Sequence, residues 1–245
     1  MFAALVLTEV MAEARDNNST LHIAFMDTSK AFDVVDHHSM LNALHQQGVN
    51  GKMWGLFDSL YDGITSIVQW KGQLSNPFTE HQGIRQGGGT SADLYKSGKN
   101  SVLSILDSNT SNQIGHINTG AIMVADDLAI TATNSLDLQH GISIAELDSS
   151  RQRYSFNTEK TKIISCNTSQ TTTCVLNGKE IGNSIKEVHL GISRNSENNH
   201  QDTVNDRIKS ARRRCTASWA LASMALMELV LRLPCCNMKH MSSQP

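Results

Sequence analysis

The chain of 245 residues is short of the features that specialised architectures need. With only three prolines it is no collagen-like repeat. Its five cysteines, Cys166, Cys174, Cys215, Cys235 and Cys236, are odd in number and lack zinc-like pairing. That excludes a secreted disulfide scaffold and reads as reduced thiols inside a cell. No apolar run approaches the roughly 20 residues of a membrane helix, and mean hydropathy is -0.28. The apolar start Phe2–Leu7 has no basic flank and is interrupted by Glu9 and Glu13, so it is no secretory signal. An intracellular protein, nuclear or cytoplasmic and neither secreted nor membrane-bound, is expected. What remains, 39% hydrophobic and 18% charged residues, suffices for a buried core in one large or two small domains.

Positive charge is also missing where negative charge collects. Residues 101–150 contain six acids and no Lys or Arg, whereas residues 151–214 contain twelve Lys/Arg against six acids. The basic segment ends in Arg207, Lys209, Arg212, Arg213 and Arg214. An acidic centre followed by a basic stretch fits a polyanion held beside bound cations. Charge alone equally describes a solvated helix face, and a pI near 6.5 is low for a nucleic-acid binder.

Periodicity and breakers divide the chain into mixed elements. Phe2–Arg15 has helical spacing and no Gly or Pro, Asp16–Ser19 turns, and Leu21–Met26 reads as a strand ending at Asp27. Asp36 is an N-cap for a helix over 39–47 that stops at Gly48, and Met53–Tyr61 forms another helix. Thr65–Trp70 reads as a strand, Lys71-Gly72 as a turn, and a return strand precedes Pro77. The glycine-rich loop Gly83–Gly89 leads into a helix from about Ser91 through Leu106. Ala121–Ala125 and Leu128–Thr131 form a hairpin about Asp126-Asp127. Leu136–Tyr154 is helical, Lys162–Cys166 a strand, Asn177-Gly178 a hairpin turn, Lys186–Ile192 a strand, and Thr203–Ala222 a long helix. The irregular alternation gives an α+β class rather than a βαβ series.

The chemistry concentrates at the acidic hairpin. Two adjacent carboxylates at the tip of an apolar ribbon repel each other and resist desolvation. Asp-Asp is also a poor two-residue turn, because a type I′ turn needs positive φ at both positions. A divalent cation would explain the placement. Asp27, a second acid at a strand end, lies 99 residues earlier, followed by Thr28-Ser29-Lys30-Ala31-Phe32-Asp33. A P-loop is excluded, since no Gly-Lys-Ser/Thr closes the glycine run. Asp36-His37-His38 with His45 lacks the spacing of a zinc site, and Met224, Met227 and Met238 are core or interface filler.

Five segments in order resemble the motifs of the reverse transcriptases of non-LTR, LINE-like retrotransposons. They are Met26–His37, His81–Gly88, Val124-Ala125-Asp126-Asp127, Asn157–Thr161 and Val188-His189-Leu190-Gly191. The resemblance implies a truncated RNA-directed DNA polymerase domain, a nucleotidyltransferase built as a right-hand polymerase palm. Such a palm is an antiparallel sheet with helices on one face, partial fingers and the start of a thumb. Residues 1–192 would be the palm with residual fingers, and residues 193–245 a partial, thumb-like helical segment. Asp27, Asp126 and Asp127 would hold two Mg²⁺ ions, for which Mn²⁺ can substitute, and would catalyse two-metal nucleotidyl transfer. The partners implied are dNTPs and an RNA or DNA template with its primer.

The remaining roles follow by position. Phe32 would lie beneath the incoming sugar and exclude a 2′-hydroxyl; without the resemblance it reads as a core aromatic. Gln86 and Gly87 would meet the incoming nucleotide, and Lys160 the leaving phosphate, although a solvated lysine has the same signature. Val124, Leu190 and Gly191 would track the primer, and Arg212, Arg213 and Arg214 would contact phosphates.

The chain departs from the family pattern in three places. Val124 replaces the usual aromatic, Arg85 stands where many relatives have Pro, and Thr90–Tyr95 replaces a more apolar continuation. Only 26 residues precede Asp27, with Arg15 their sole basic side chain, so most of the fingers are expected to be missing, and no endonuclease or RNase H segment is evident. A non-catalytic relic that keeps only the fold or weak nucleic-acid binding is the alternative. The intact acids favour chemistry, and a Mg²⁺-dependent phosphohydrolase ranks third.

Overall fold

The apolar run Leu21–Met26 becomes the middle strand of a five-stranded sheet, buried on both faces. The computed structural model describes residues 2–85, 87–110, 112–114, 117–197, 204, 205, 208 and 209. In chain order the first elements are α1 (Phe2–Asp16), β1 (Leu21–Asp27), α2 (His37–Gln46), α3 (Gly51–Tyr61), β2 (Thr65–Ser66), β3 (Gln69–Trp70), β4 (Gln73–Leu74), β5 (Phe78–Thr79) and α4 (Ser91–Asn109). There follow β6 (Gln113–Ile114), β7 (Ile117–Asn118), β8 (Ala121–Val124), β9 (Asp127–Ala132), α5 (Ser135–Arg151) and β10 (Lys162–Cys166). The last are β11 (Val175–Leu176), β12 (Lys179–Glu180), β13 (Gly182–Asn183), β14 (Lys186–His189) and β15 (Ile192–Asn195). The chain divides into two compact units, residues 1–199 and 200–245, and all of these elements lie in the first. The helix expected over Thr203–Ala222 lies outside the described residues, except Val204, Asn205, Ile208 and Lys209, which are helical. Among the described residues no helix is long and apolar enough to cross a membrane.

The sheet order is β13-β10-β1-β9-β8, antiparallel except for the short β10–β13 pair. Alternate residues of each central strand serve opposite cores. Ala24, Met26, Leu128, Ile130 and Ile163 pack with Val102 and Leu106 of α4 and with Leu138, Ile142 and Ala145 of α5. Ile23, Phe25, Ala129 and Ile164 pack on the other face with Leu7, Val10, Met11 and Ala14 of α1. Helices therefore cover both faces rather than one. The reason lies in β1, whose two apolar faces each need a partner, and in the α1 stripe at three- and four-residue steps.

Three expected boundaries shift, two of them beside a residue in the left-handed region. Lys186–Ile192 is no single strand: Leu190 (φ 51°) and Gly191 (φ 73°) reverse the chain, so β14 pairs back on β15. The α5 helix ends at Arg151, short of Tyr154, and Arg153 has φ 59°. Thr65–Trp70 divides into β2, which pairs with β5, and β3, which pairs with β4 about the Lys71-Gly72 turn (φ 48° and 80°). By contrast the Asp36 cap forms as expected, its side chain accepting from the Ser39 backbone N–H at 2.9 Å.

Candidate active site

Asp27 is the last residue of β1 and Asp127 the first of β9, and the antiparallel register places them directly opposite each other. Such partners share one face of the sheet, with Cβ atoms about 5 Å apart. Asp126 lies in the β8–β9 turn. The turn is Ala125-Asp126, one residue earlier than the expected Asp126-Asp127, because Ala125 takes the left-handed conformation (φ 56°) and Asp127 joins the ladder opposite Val124. Burial raises the Asp127 carboxyl above the ordinary carboxylate range, and the neighbouring charges of Asp126 and Asp27 raise it further. The Thr28 hydroxyl donates to the Asp126 carbonyl at 3.4 Å, and the Asn157 N–H donates to the Asp27 carbonyl at 2.8 Å.

Lys160 reaches this group: its Nζ lies 3.1 Å from Asp27 Oδ2, with side-chain exposures of 66% and 29%. Among the described residues no three His, Cys, Asp or Glu side chains are arranged as a ready-made metal cage. The donor chemistry nevertheless fits a divalent cation. Three carboxylates without nitrogen or sulfur donors suit a hard, oxygen-preferring ion such as Mg²⁺. The ammonium on Asp27 and the raised Asp127 carboxyl both mark a demand for positive charge.

The loop after β1 is stitched to the glycine loop. The Ile84 N–H donates to the Phe32 carbonyl and the Gly83 N–H to the Val35 carbonyl, each at 2.8 Å. His37 Nε2 donates to the Gly83 carbonyl at 2.7 Å, so this imidazole is a strut rather than a free ligand. Gly83 has φ 100°, and a Cβ there would lie 3.2 Å from the Asp33 carbonyl oxygen; only glycine permits this approach. Two motifs about 50 residues apart are thereby fixed side by side. Phe32 is half-buried between them and stacks on Tyr95 of α4, with ring centroids 4.7 Å apart and planes inclined by 24°. Gly87 is exposed, with φ 86°. Gln86 lies outside the described residues, as do Arg212, Arg213 and Arg214.

The β14–β15 hairpin carries Leu190 and Gly191 at its turn and is anchored on α1 and β1. The Arg194 guanidinium donates to Thr8 Oγ1 and to the Ala4 carbonyl, both at 2.8 Å. The His189 ring lies 5.0 Å from Phe25, two residues before Asp27. Val124 is exposed beside Asp127.

Two residues were missed by sequence reasoning, Tyr95 and Lys99. Leu94, Tyr95, Val102 and Leu106 form the buried stripe of α4, and Lys99 falls on it four residues after Tyr95, so the spacing itself was the signal. Lys99 Nζ lies 2.7 Å from the Tyr154 ring centroid and 5.8 Å from that of Tyr95, without a hydrogen-bond partner. Burial pulls its pKa down to about 6, against the opposing pull of Asp148 and Asp126.

Residues 3–204 match the family described as reverse transcriptase (RNA-dependent DNA polymerase). The Retrovirus-related Pol polyprotein from type-1 retrotransposable element R2 of Nasonia vitripennis is 33% identical over 144 residues, 58% of this chain and 14% of that protein. The corresponding polyprotein from the type-2 element R2DM of Drosophila melanogaster is 27% identical over 136 residues, 56% of this chain and 13% of that protein. The chain thus spans about one seventh of the length of these relatives. Among solved structures, apo telomerase from Candida tropicalis truncated from its C-terminal domain has a TM-score of 0.54 at 17% identity, over 80% of this chain and 38% of that one. Telomerase from the same organism in complex with a fragment of telomeric RNA has a TM-score of 0.54 at 13% identity, over 78% of this chain and 32% of that one. At these identities the structural likeness concerns the fold alone.

Proposed function

The chain belongs to the reverse transcriptase (RNA-dependent DNA polymerase) family, and on that premise we propose that it is the palm of a retrotransposon polymerase adding dNTPs to a primer 3′-hydroxyl on an RNA or DNA template. The observation that carries this reading is the β1–β9 register, which sets Asp27 opposite Asp127 with Asp126 in the adjoining turn. Asp27, Asp126 and Asp127 would hold two Mg²⁺ ions, or Mn²⁺ in their place. Bound there, the cations supply a lowered pKa at the 3′-hydroxyl and neutralise charge on the triphosphate.

The chain's own residues do the positioning. Lys160, mostly exposed and resting on Asp27, is the cation that meets the leaving pyrophosphate once Asp27 has another partner. Phe32 excludes a ribose 2′-hydroxyl by volume, and Gly87, with Gln86 before it, lets the backbone approach the nucleotide. Val124 and the Leu190-Gly191 turn lie along the primer strand. Arg212, Arg213 and Arg214 contact phosphates of the duplex, in a thumb-like segment that begins after the palm; the palm runs past the expected boundary at 192, because β15 (Ile192–Asn195) pairs with β14 within the unit of residues 1–199.

Primer extension on an RNA template, with a fingers segment supplied in fusion, tests the reading. Asp126→Asn removes one anionic ligand while keeping the side-chain volume, and is expected to lower extension by about 100-fold or more. Extension by this folded variant at the parent rate contradicts the assignment.

A further inference from the structure

Among the described residues Tyr95 is the largest fully buried side chain, 1% exposed, and it is close enough to Asp126, Asp127 and Asp27 to feel their charges. Burial raises its phenol far above the ordinary tyrosine range, and the charges of Asp126, Asp127 and Asp27 add to that shift. The Thr28 side chain opposes that rise from beside the hydroxyl, but among the described residues the hydroxyl makes no hydrogen bond of ordinary geometry. The ring does something else. It is the aromatic surface on which Phe32 rests, and both belong to the cluster of Ala31, Met40, Leu41, Leu44, Ile84 and Leu94, against which Ala125 of the acidic turn also packs.

A half-buried phenylalanine on a loop has two side-chain torsions to lose, and a gate acts by volume only if it stands still. Among the described residues one backbone hydrogen bond holds Phe32, from Ile84, which fixes the loop but not the ring. Among the described residues the stack on Tyr95 is the one aromatic ring contact of Phe32. Tyr95 in turn is enclosed on the inner face of α4, which leaves its ring little room to turn. We propose that Tyr95 is a positioning residue for sugar discrimination: its ring, and not its hydroxyl, sets the plane of Phe32 and thereby the space left at the 2′-position of an incoming nucleotide. The inference rests on reading Phe32 as the residue beneath the sugar.

The test measures the dissociation constants of a matched dNTP and the corresponding rNTP on a dideoxy-terminated primer–template, so that no turnover is required. The parent prefers dNTP. Tyr95→Phe keeps the ring and retains the preference within about twofold. Tyr95→Met lowers the ratio about tenfold or more, toward that of Phe32→Ala, and Tyr95→Met adds nothing when combined with Phe32→Ala, since both remove one function. Tyr95→Trp, which displaces the stacking plane while filling the site, also shifts the ratio. Circular dichroism verifies that each variant is folded. A Tyr95→Met protein that discriminates like the parent while Phe32→Ala does not overturns the proposal and leaves Phe32 in its role. A parent without preference, or one unaffected by Phe32→Ala, overturns the reading of Phe32 and the proposal with it. The stack itself is read without any substitution: Phe32 ring protons shifted upfield by the Tyr95 ring current are expected, and random-coil shifts refute it.

Discussion

Lys99 projects from the buried stripe of α4 into a pocket of aromatic rings, 6% exposed and without a hydrogen-bond partner. Its pKa of about 6 in the folded chain lies below the ordinary value of 10.5, so between these values the unfolded chain binds a proton that the folded chain does not. Stability must then fall as pH drops from 10.5 to about 6 and level off below that. Lys99→Met removes both the dependence and an unpaired buried amine. It is expected to raise stability at pH 7 by at least about 1–3 kcal/mol, and the gain over the parent in urea unfolding should be smaller at pH 9 than at pH 6. An equal gain at both pH values contradicts the burial account. At Gly83 the sign reverses. A methyl group there meets the Asp33 carbonyl oxygen at 3.2 Å on a backbone of φ 100°, and Gly83→Ala is expected to cost about 1–3 kcal/mol. Urea midpoints that coincide for this variant and the parent would show that the loop relaxes freely.

The acidic hairpin concentrates strain and charge in one element. Ala125 takes φ 56°, a region that costs a non-glycine residue about 1 kcal/mol. Ala125→Gly should therefore stabilise the fold by about that amount while loosening the turn that aims Asp126. The expected result is a higher melting temperature together with weaker Mn²⁺ affinity, and a stabilised variant with unchanged affinity would mean that the strain has no bearing on the site. The same element shows where sequence reading succeeds. β8 and β9 were legible because apolar runs flank the acids, and β1 because a strand buried on both faces needs no polar alternation. The turn was misplaced by one residue, since nothing in Val124-Ala125-Asp126-Asp127 marks alanine as the left-handed position. Leu190 hid the β14–β15 turn in the same way, whereas Asn177-Gly178, with its standard turn chemistry, was legible. Asp27 and the hairpin acids could be named from motif order, but the β1–β9 register that sets Asp27 opposite Asp127 is a long-range pairing with no local signature. Nor does any local signal tell that Phe32 rests on Tyr95, 63 residues later.

At the scale of the whole molecule, α1 on one face and α4 with α5 on the other close the central sheet, while Asp27, Asp126 and Asp127 stay only partly buried at one end of its strands. Covering both faces makes the sheet a rigid platform, so acids that are distant in sequence keep a fixed relation without contacts of their own. The absence of Lys and Arg from residues 101–150 takes on meaning in this setting, because the only described cation on the acids, Lys160, comes from outside that stretch and is exposed enough to leave. The account stands on these three carboxylates sharing bound cations, and titration of Mn²⁺ into protein ¹³C-labelled at aspartate, with primer–template and dNTP present, tests it most directly. The carboxyl signals of Asp27, Asp126 and Asp127 should broaden first and together, ahead of those of Asp93 and Asp137. Broadening that spares the three, or that spreads evenly over all aspartates, would contradict the account.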